Sequence, residues 1–132
     1  AGTSTQFYWG ENYDLVGIYC WYKYNSGSYS INNVDPPVDR KTKPVGQKNP
    51  NRWGFYDING NVFEFCNDWY DEDYYPHSPH YNPHGPKNGE YRVMRGGSYD
   101  SNEFNVNPYD RYRLVPYHRY DDVGFRVVLS SR

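Results

Sequence analysis

The chain has 132 residues, a formal net charge of −2 and scattered Lys and Arg, which excludes a charge-based surface for nucleic acid or an anionic membrane. Its length suits one domain over residues 1–132, and no apolar run approaches the roughly 18 residues that a membrane-spanning helix needs. Seventeen Tyr, twelve Gly and ten Pro accompany a single Ala, which predicts a helix-poor α+β domain with short strands and long irregular loops.

The N-terminal part predicts packed aromatic segments separated by turns. Residues 7–10 (FYWG) indicate a short buried segment closed by a glycine, and 18–24 (IYCWYKY) indicate a strand or a packed loop. The stretch 25–51 has no sustained period and predicts an ordered surface loop. Cys20 and Cys66 stand among aromatic residues and predict two buried thiols, with a single disulfide as the alternative.

Three strands are predicted further along the chain. Asp57–Gly60 is a turn signal, and the alternating residues 61–65 (NVFEF) that follow predict the central strand. Loop residues dominate 71–89, after which 92–94 predict a strand that the consecutive Gly96 and Gly97 break. The last strand is predicted at 124–129 (GFRVVL), apolar enough to be buried on both faces.

Three ordered blocks carry a family resemblance: WGFYDINGNVFEFCNDWY at 53–70, RVMRGGSY at 92–99 and VGFRVV at 123–128. Together they resemble the sulfatase-modifying, formylglycine-generating-enzyme family, which implies a C-type-lectin-like fold. The opening AGTST is similar to the interior of a family motif, so we expect an N-terminally truncated domain whose sheet exposes an apolar face or covers it with the chain's own aromatic residues.

The same resemblance argues against catalysis. The family's enzymes use two cysteines shortly after the GGS motif to bind copper, but Ser101 stands at the first of these positions and no cysteine follows. A hydroxyl does not replace a thiolate as a soft ligand, so we expect no enzyme and assign no catalytic residue. Nothing supports a hydrolase triad on His118, and the three histidines of 77–84 favour a solvated loop over a zinc site.

Calcium is the one candidate cofactor, and none is required. The resemblance implies as ligands the Asp57 and Glu64 carboxylates and the Gly60 and Val62 carbonyls, which are oxygen donors close in sequence. The alternative is that Glu64 pairs with a buried arginine, Arg95 or Arg126, and that Asp57 caps a turn.

Residues 99–122, between the second and third blocks, differ from the rest of the chain. In one branch of the lectin-like fold, the variable proteins of diversity-generating retroelements, this interval is hypermutated by inaccurate copying of template adenines. Asn codons ending in C then become codons for Tyr, Asp, Ser, His, Phe, Val, Leu or Arg. Lys, Met, Trp, Gln and Glu cannot arise in this way, and Glu103 is the only such residue in the interval. We therefore predict that 99–122 is a variable segment.

The composition of this segment also resembles that of antibody binding loops, in which Tyr supplies contact area and short polar residues supply hydrogen bonds. We predict Tyr99, Tyr112, Tyr117 and Tyr120 as anchors of a surface that binds a protein or glycan ligand. The other predicted contact residues are Asp100, Ser101, Asn102, Phe104, Asn105, Asn107, Arg113, Leu114, Val115, His118, Asp121 and Asp122.

Other interpretations of the segment remain open. Several of its aromatic residues would fill the core of an irregular fold in the first alternative. In the second alternative, the chain is an enzyme module of the formylglycine-generating family that lacks its copper cysteines. In the third, it is a structural domain of a larger protein. The sequence predicts neither the ligand nor the compartment.

Overall fold

A computed structural model describes residues 4–28 and 39–129. The elements in chain order are a 3-10 turn at Tyr13–Leu15, α1 at Val16–Tyr19, β1 at Phe63–Trp69, α2 at Tyr74–His77, β2 at Arg92–Arg95, β3 at Tyr112–Leu114 and β4 at Val123–Phe125. The predicted helix-poor fold with short strands is confirmed, because each of the two helices has four residues. Within the described residues, every helix is too short to cross a membrane.

The helical turns were not predicted, and α2 at Tyr74–His77 lies within the stretch 71–89 that was predicted to be loop. Asn12 begins the 3-10 turn by accepting a hydrogen bond from the Asp14 N–H at 2.9 Å, and α1 ends at Cys20, whose backbone is extended. The strand alternative for 18–24 is therefore wrong, whereas the packed loop describes 20–24. Residues 29–38 of the predicted surface loop lie outside the described part of the chain.

The four strands form one mixed sheet in the order β3-β2-β1-β4. Strand β1 pairs antiparallel with β2, with Phe65 opposite Met94, and parallel with β4, with Phe63 opposite Val123. The prediction of a central strand is confirmed, although β1 continues to Trp69. Because β4 lies on the far side of β1 from β2, the chain between β2 and β4 has to cross over the sheet.

The prediction for the last strand is wrong in two respects. Strand β4 ends at Phe125, and the residues after it are irregular. Phe125 is 77% exposed and Leu129 96% exposed, so the strand is not buried on both faces. The physical reason is its position at the sheet edge, where a strand has one hydrogen-bonded neighbour and less material covering its side chains.

The best-buried apolar cluster lies beside the sheet and contains Phe7, Val16, Cys20 and Val106. Phe7 stacks on Trp9 with ring centroids 4.5 Å apart. Burial raises the pKa of the Cys20 thiol to about 12. Cys20 and Cys66 are both free thiols, so the disulfide alternative is not seen, and Cys66 is half-buried. Because Val106 belongs to the cluster, part of the predicted variable segment is itself core.

Candidate functional site

Two consecutive glycines lead from β2 into the segment 99–122. Gly96 and Gly97 have φ values of +92° and +75°, a conformation that other residues adopt only with strain. A Cβ atom on Gly97 would lie 2.7 Å from the Asn105 carbonyl oxygen and 2.9 Å from Val106 Cα. The backbone of the segment therefore packs directly against this glycine, which fixes where the segment begins.

The two ends of the segment are joined to each other and to β1. The Ser98 hydroxyl donates to an Asp122 carboxylate oxygen at 3.1 Å, and the Ser98 N–H donates to the Ser101 hydroxyl at 3.0 Å. The Asp122 carbonyl accepts from the Phe63 N–H of β1 at 2.8 Å. Ser101, at the position of the family's first copper cysteine, thus contributes to a hydroxyl network that closes the segment into a loop.

Two asparagine side chains shape the first half of the segment. The Asn102 Oδ1 atom accepts from the N–H groups of Phe104 and Asn105, at 3.0 and 3.1 Å. The Asn107 Oδ1 atom accepts from two backbone N–H groups of 109–110, and its Nδ2 donates to the Phe104 carbonyl at 2.8 Å. Such side-chain turns replace backbone pairing in a stretch without secondary structure.

Three of the predicted contact residues lie beneath the surface. Tyr99 and Val115 are each 7% exposed and Asn107 is 5% exposed. Burial, together with a hydrogen bond to Asp121, raises the pKa of the Tyr99 hydroxyl. In this structure these three side chains support the segment from below, and Tyr99 does not present its ring as a surface anchor.

The other thirteen predicted residues reach solvent to different degrees. Those exposed are Asp100, Phe104, Arg113, Tyr117, His118, Tyr120 and Asp121. The half-buried ones are Ser101, Asn102, Asn105, Tyr112, Leu114 and Asp122. Asp100 is engaged in an ion pair with Arg40, and burial next to Asp110 raises the pKa of Tyr112.

His118 and Tyr120 line a cleft of about 500 Å³, which we call the 116–125 cleft, and Tyr117 is adjacent to His118 in the sequence. Its lining residues are Phe65, Pro116, His118, Arg119, Tyr120, Val123, Gly124 and Phe125. His118 makes edge contacts with the Tyr117 and Tyr120 rings, at centroid distances of 5.2 and 6.3 Å. Phe65 and Phe125 were not predicted as contact residues, because their strand pattern indicated core, and nothing in the sequence marks β4 as an edge strand.

The remaining exposed residues contact other parts of the scaffold. Phe104 packs against Tyr13, with ring centroids 5.2 Å apart. On β3 the Arg113 guanidinium lies over two rings, 5.2 Å from the Tyr70 centroid and 5.3 Å from that of Tyr91. The predicted set is therefore spread over several parts of the surface, and two of its exposed members, His118 and Tyr120, line the 116–125 cleft.

The implied calcium ligands line one cleft, and Asp57, Gly60 and Glu64 already accept hydrogen bonds from the protein. Both Glu64 carboxylate oxygens accept from the Arg126 guanidinium, at 2.6 and 2.9 Å. The Gly60 carbonyl accepts from the Val62 N–H at 2.8 Å. Asp57, at φ +52°, accepts from the Gly46 N–H at 2.7 Å through Oδ2, while its buried Oδ1 has no partner.

These residues do not fit calcium as they are arranged. Among the four implied ligands, Asp57 supplies one buried side-chain oxygen without a partner, Oδ1, whereas calcium takes six to eight oxygen ligands. The hydrogen bond to Glu64 raises the pKa of Arg126, so the guanidinium is charged where the cation would bind. The pairing of Glu64 with Arg126 was the alternative interpretation, and calcium binding itself stays a prediction. Within 4–28 and 39–129, no cluster of three or more His, Cys, Asp or Glu has metal-binding geometry.

Comparison with known proteins gives a structural and a sequence result. Treponema denticola variable protein 1 superposes with a TM-score of 0.74 and 32% identity, covering 94% of this chain and 40% of that one. The formylglycine-generating enzyme of Streptomyces coelicolor is 45% identical over 74 residues, which are 56% of this chain and 23% of the enzyme. The serine/threonine-protein kinase pkn1 of Chlamydia caviae is 40% identical over 87 residues, 64% of this chain and 14% of the kinase.

These likenesses confirm the C-type-lectin-like fold of the formylglycine-generating-enzyme type, and they confirm the resemblance to variable proteins. The chain spans two fifths of the variable protein and less than a quarter of the two sequence relatives. The profile of the sulfatase-modifying factor enzyme 1-like domain matches residues 1–131, nearly the whole sequence. The chain therefore belongs to the sulfatase-modifying factor enzyme 1-like family.

Proposed function

We propose that this chain is a non-catalytic scaffold that displays the segment 99–122 for binding a protein or glycan ligand. The observation that carries the proposal is that some side chains of the segment are buried and hold it in place, whereas others are exposed and available to a ligand. Tyr99 and Val106 are buried and the serine network closes its ends, whereas Tyr117 and Tyr120 are 77% and 56% exposed beside the 116–125 cleft. The likeness to Treponema denticola variable protein 1 supports the same function.

The mechanism is surface complementarity. Tyr117 and Tyr120 offer large rigid rings whose burial by a ligand costs little conformational entropy. His118, Arg119 and Asp121 add donors and acceptors that favour some ligands and disfavour others. The bonds that hold the segment use its backbone and buried or half-buried side chains such as Ser101 and Asp122, so its exposed side chains can change without loss of the fold.

A binding assay with exposed-aromatic variants tests the proposal. Glycan and protein arrays first identify a ligand of the purified chain, and its affinity is then measured for the Tyr117→Ala/Tyr120→Ala double variant. Tyr81→Ala is the matched control, since Tyr81 is a 91% exposed tyrosine in the 71–90 loop, outside the segment. Anchor residues contribute at least about 1–2 kcal/mol each, so we expect the double variant to bind at least tenfold more weakly and the control to bind normally.

The double variant is expected to unfold at the wild-type temperature, because exposed positions change stability by about 0.5 kcal/mol or less. Equal losses in the double variant and in Tyr81→Ala would contradict the proposal. Sequencing of sibling gene copies gives a second test. Substitutions concentrated at the exposed positions of 99–122 support variable display, whereas an even spread along the chain argues against it.

Family membership favours an enzyme module as the second candidate, since a close sequence relative is a formylglycine-generating enzyme. Ser101, at the position of the family's first copper cysteine, accepts a hydrogen bond from the Ser98 N–H. Incubation with copper and a cysteine substrate peptide, read out by mass spectrometry, distinguishes the two functions. Formylglycine in the product would replace the binding proposal, and an unchanged peptide is the expected result.

A further inference from the structure

The turn that precedes β1 directs several oxygen atoms at one positive charge. Arg126 donates to both carboxylate oxygens of Glu64, at 2.6 and 2.9 Å. Its Nη2 atom also donates to the carbonyls of Tyr56 and Asp57, at 2.9 and 3.2 Å. The guanidinium is therefore surrounded by a carboxylate and two carbonyl groups, the kind of oxygen donors that a hard cation also selects.

The charges around this turn are balanced without a metal. Asp57 and Glu64 contribute two negative charges, and Arg126 and Lys48 contribute two positive ones. Lys48 is half-buried over the Trp21 ring, 3.8 Å from its centroid, and interacts electrostatically with Asp57. A calcium ion added to this set would leave two uncompensated positive charges in a partly buried site, which is unfavourable at low dielectric.

We propose that the Arg126 guanidinium is the resident cation of this turn and that the chain folds without calcium. The guanidinium also has a mechanical role, because Arg126 directly follows β4 and its bonds tie the end of this edge strand to the carbonyls of 56–57. Strand β4, which lines the 116–125 cleft, is thus held by the positive charge of a side chain. Unlike a bound metal ion, this charge is present whatever the calcium concentration around the protein.

Calcium titration of the wild-type chain tests the first half of the proposal. Protein dialysed against a chelator is melted with and without millimolar calcium chloride, and terbium luminescence, sensitised by nearby aromatic rings, reports ion binding directly. We expect the same melting temperature in both conditions and no saturable luminescence. A calcium-dependent rise in melting temperature that is lost in Glu64→Gln would overturn the proposal.

Removal of the guanidinium tests the second half. Arg126→Gln leaves the oxygens of Glu64, Tyr56 and Asp57 without their cation, so we expect a melting temperature several degrees lower, part of which millimolar calcium restores. Lys48→Gln is the matched control, since it removes one positive charge but keeps the guanidinium, and it should stay insensitive to calcium. If Arg126→Gln is as insensitive as the control, or stays unfolded with calcium, Arg126 does not occupy a cation position.

Discussion

Replacement of Gly97 by alanine is expected to destabilise the chain through contact with the segment it supports. The new Cβ would lie 2.7 Å from the Asn105 carbonyl oxygen and 2.9 Å from Val106 Cα, both backbone atoms that cannot rotate away. Real Cβ atoms do not approach so closely, so the backbone of 105–106 has to shift. Gly46 provides a matched control, because it has the same φ of +75° but nothing within 4 Å of its Cβ position.

The expected loss of stability has two components, backbone strain at positive φ and overpacking against neighbouring atoms. Alanine at positive φ costs about 1 kcal/mol, and both variants carry this term. Overpacking against a backbone that has to move adds about 1–3 kcal/mol, and only Gly97→Ala carries it. We therefore expect the free energy of unfolding to fall by about 1 kcal/mol in Gly46→Ala and by about 2–4 kcal/mol in Gly97→Ala.

Urea denaturation followed by tryptophan fluorescence measures both values under one condition. The denaturant slope should be unchanged, since neither variant alters the surface exposed on unfolding. Equal losses for the two alanine variants would refute the argument, because they would mean that the segment 99–122 is not packed on Gly97. Ligand affinity, once a ligand is known, should fall in Gly97→Ala only.

Further predictions concern the loop bonds and the thiols. Asn107→Ala removes the side-chain hydrogen bonds that close the 104–110 turn, and it should lower the free energy of unfolding, measured in urea, by about 1–3 kcal/mol. Asn88 is exposed and serves as the control, since Asn88→Ala should change this free energy by about 0.5 kcal/mol or less. The Cys20 thiol should titrate near pH 9.0 in the unfolded chain and near 12 in the folded chain, so its contribution to stability is present below pH 9.0 and is lost as the pH rises toward 12. Cys20→Ser should therefore reduce the pH dependence of the unfolding free energy in this range by one proton. An unchanged slope would contradict this prediction. Burial raises the pKa of Cys66 as well, but Cys66 is only half-buried, whereas Cys20 is buried. Iodoacetamide at pH 8 should therefore alkylate Cys66 of the native protein well before Cys20, as measured by mass spectrometry. Faster alkylation of Cys20 would contradict this prediction.

Strands β1 and β2 and the break after β2 follow from local patterns in the sequence, whereas β3 was not predicted and β4 is shorter than predicted. The alternation of 61–65 indicates the central strand, and the two consecutive glycines indicate the break after β2, because only glycine adopts φ of +75° to +92° without strain. The helical turns of 13–19 were missed. A single turn of each kind is too short to establish a hydrophobic period, and its start depends on one asparagine cap.

Exposure within the candidate site could not be predicted from composition. Tyr99 and Tyr117 are the same residue type within one segment, but one is 7% and the other 77% exposed. The difference depends on long-range contacts, such as the hydrogen bond that the Tyr99 N–H donates to the Asn61 carbonyl at 2.9 Å. Phe125 was predicted as core for a related reason, since an apolar strand pattern does not reveal that β4 pairs on one side only.

The parallel pairing of β1 with β4 has a consequence for how the chain tolerates change. Phe63 pairs with Val123, so this part of the sheet forms only after a loop of about sixty residues closes, and that loop contains the whole segment 99–122. The entropy of closure depends on the number of residues and hardly on their identity, and each doubling of length costs only about 0.6 kcal/mol. Substitutions in the segment are therefore neutral for loop closure, and short insertions at its exposed turns are nearly so. The closure entropy of this strand order therefore places no constraint on the residues of the segment, and the constraints that remain come from its buried residues, such as Val106 and Asn107.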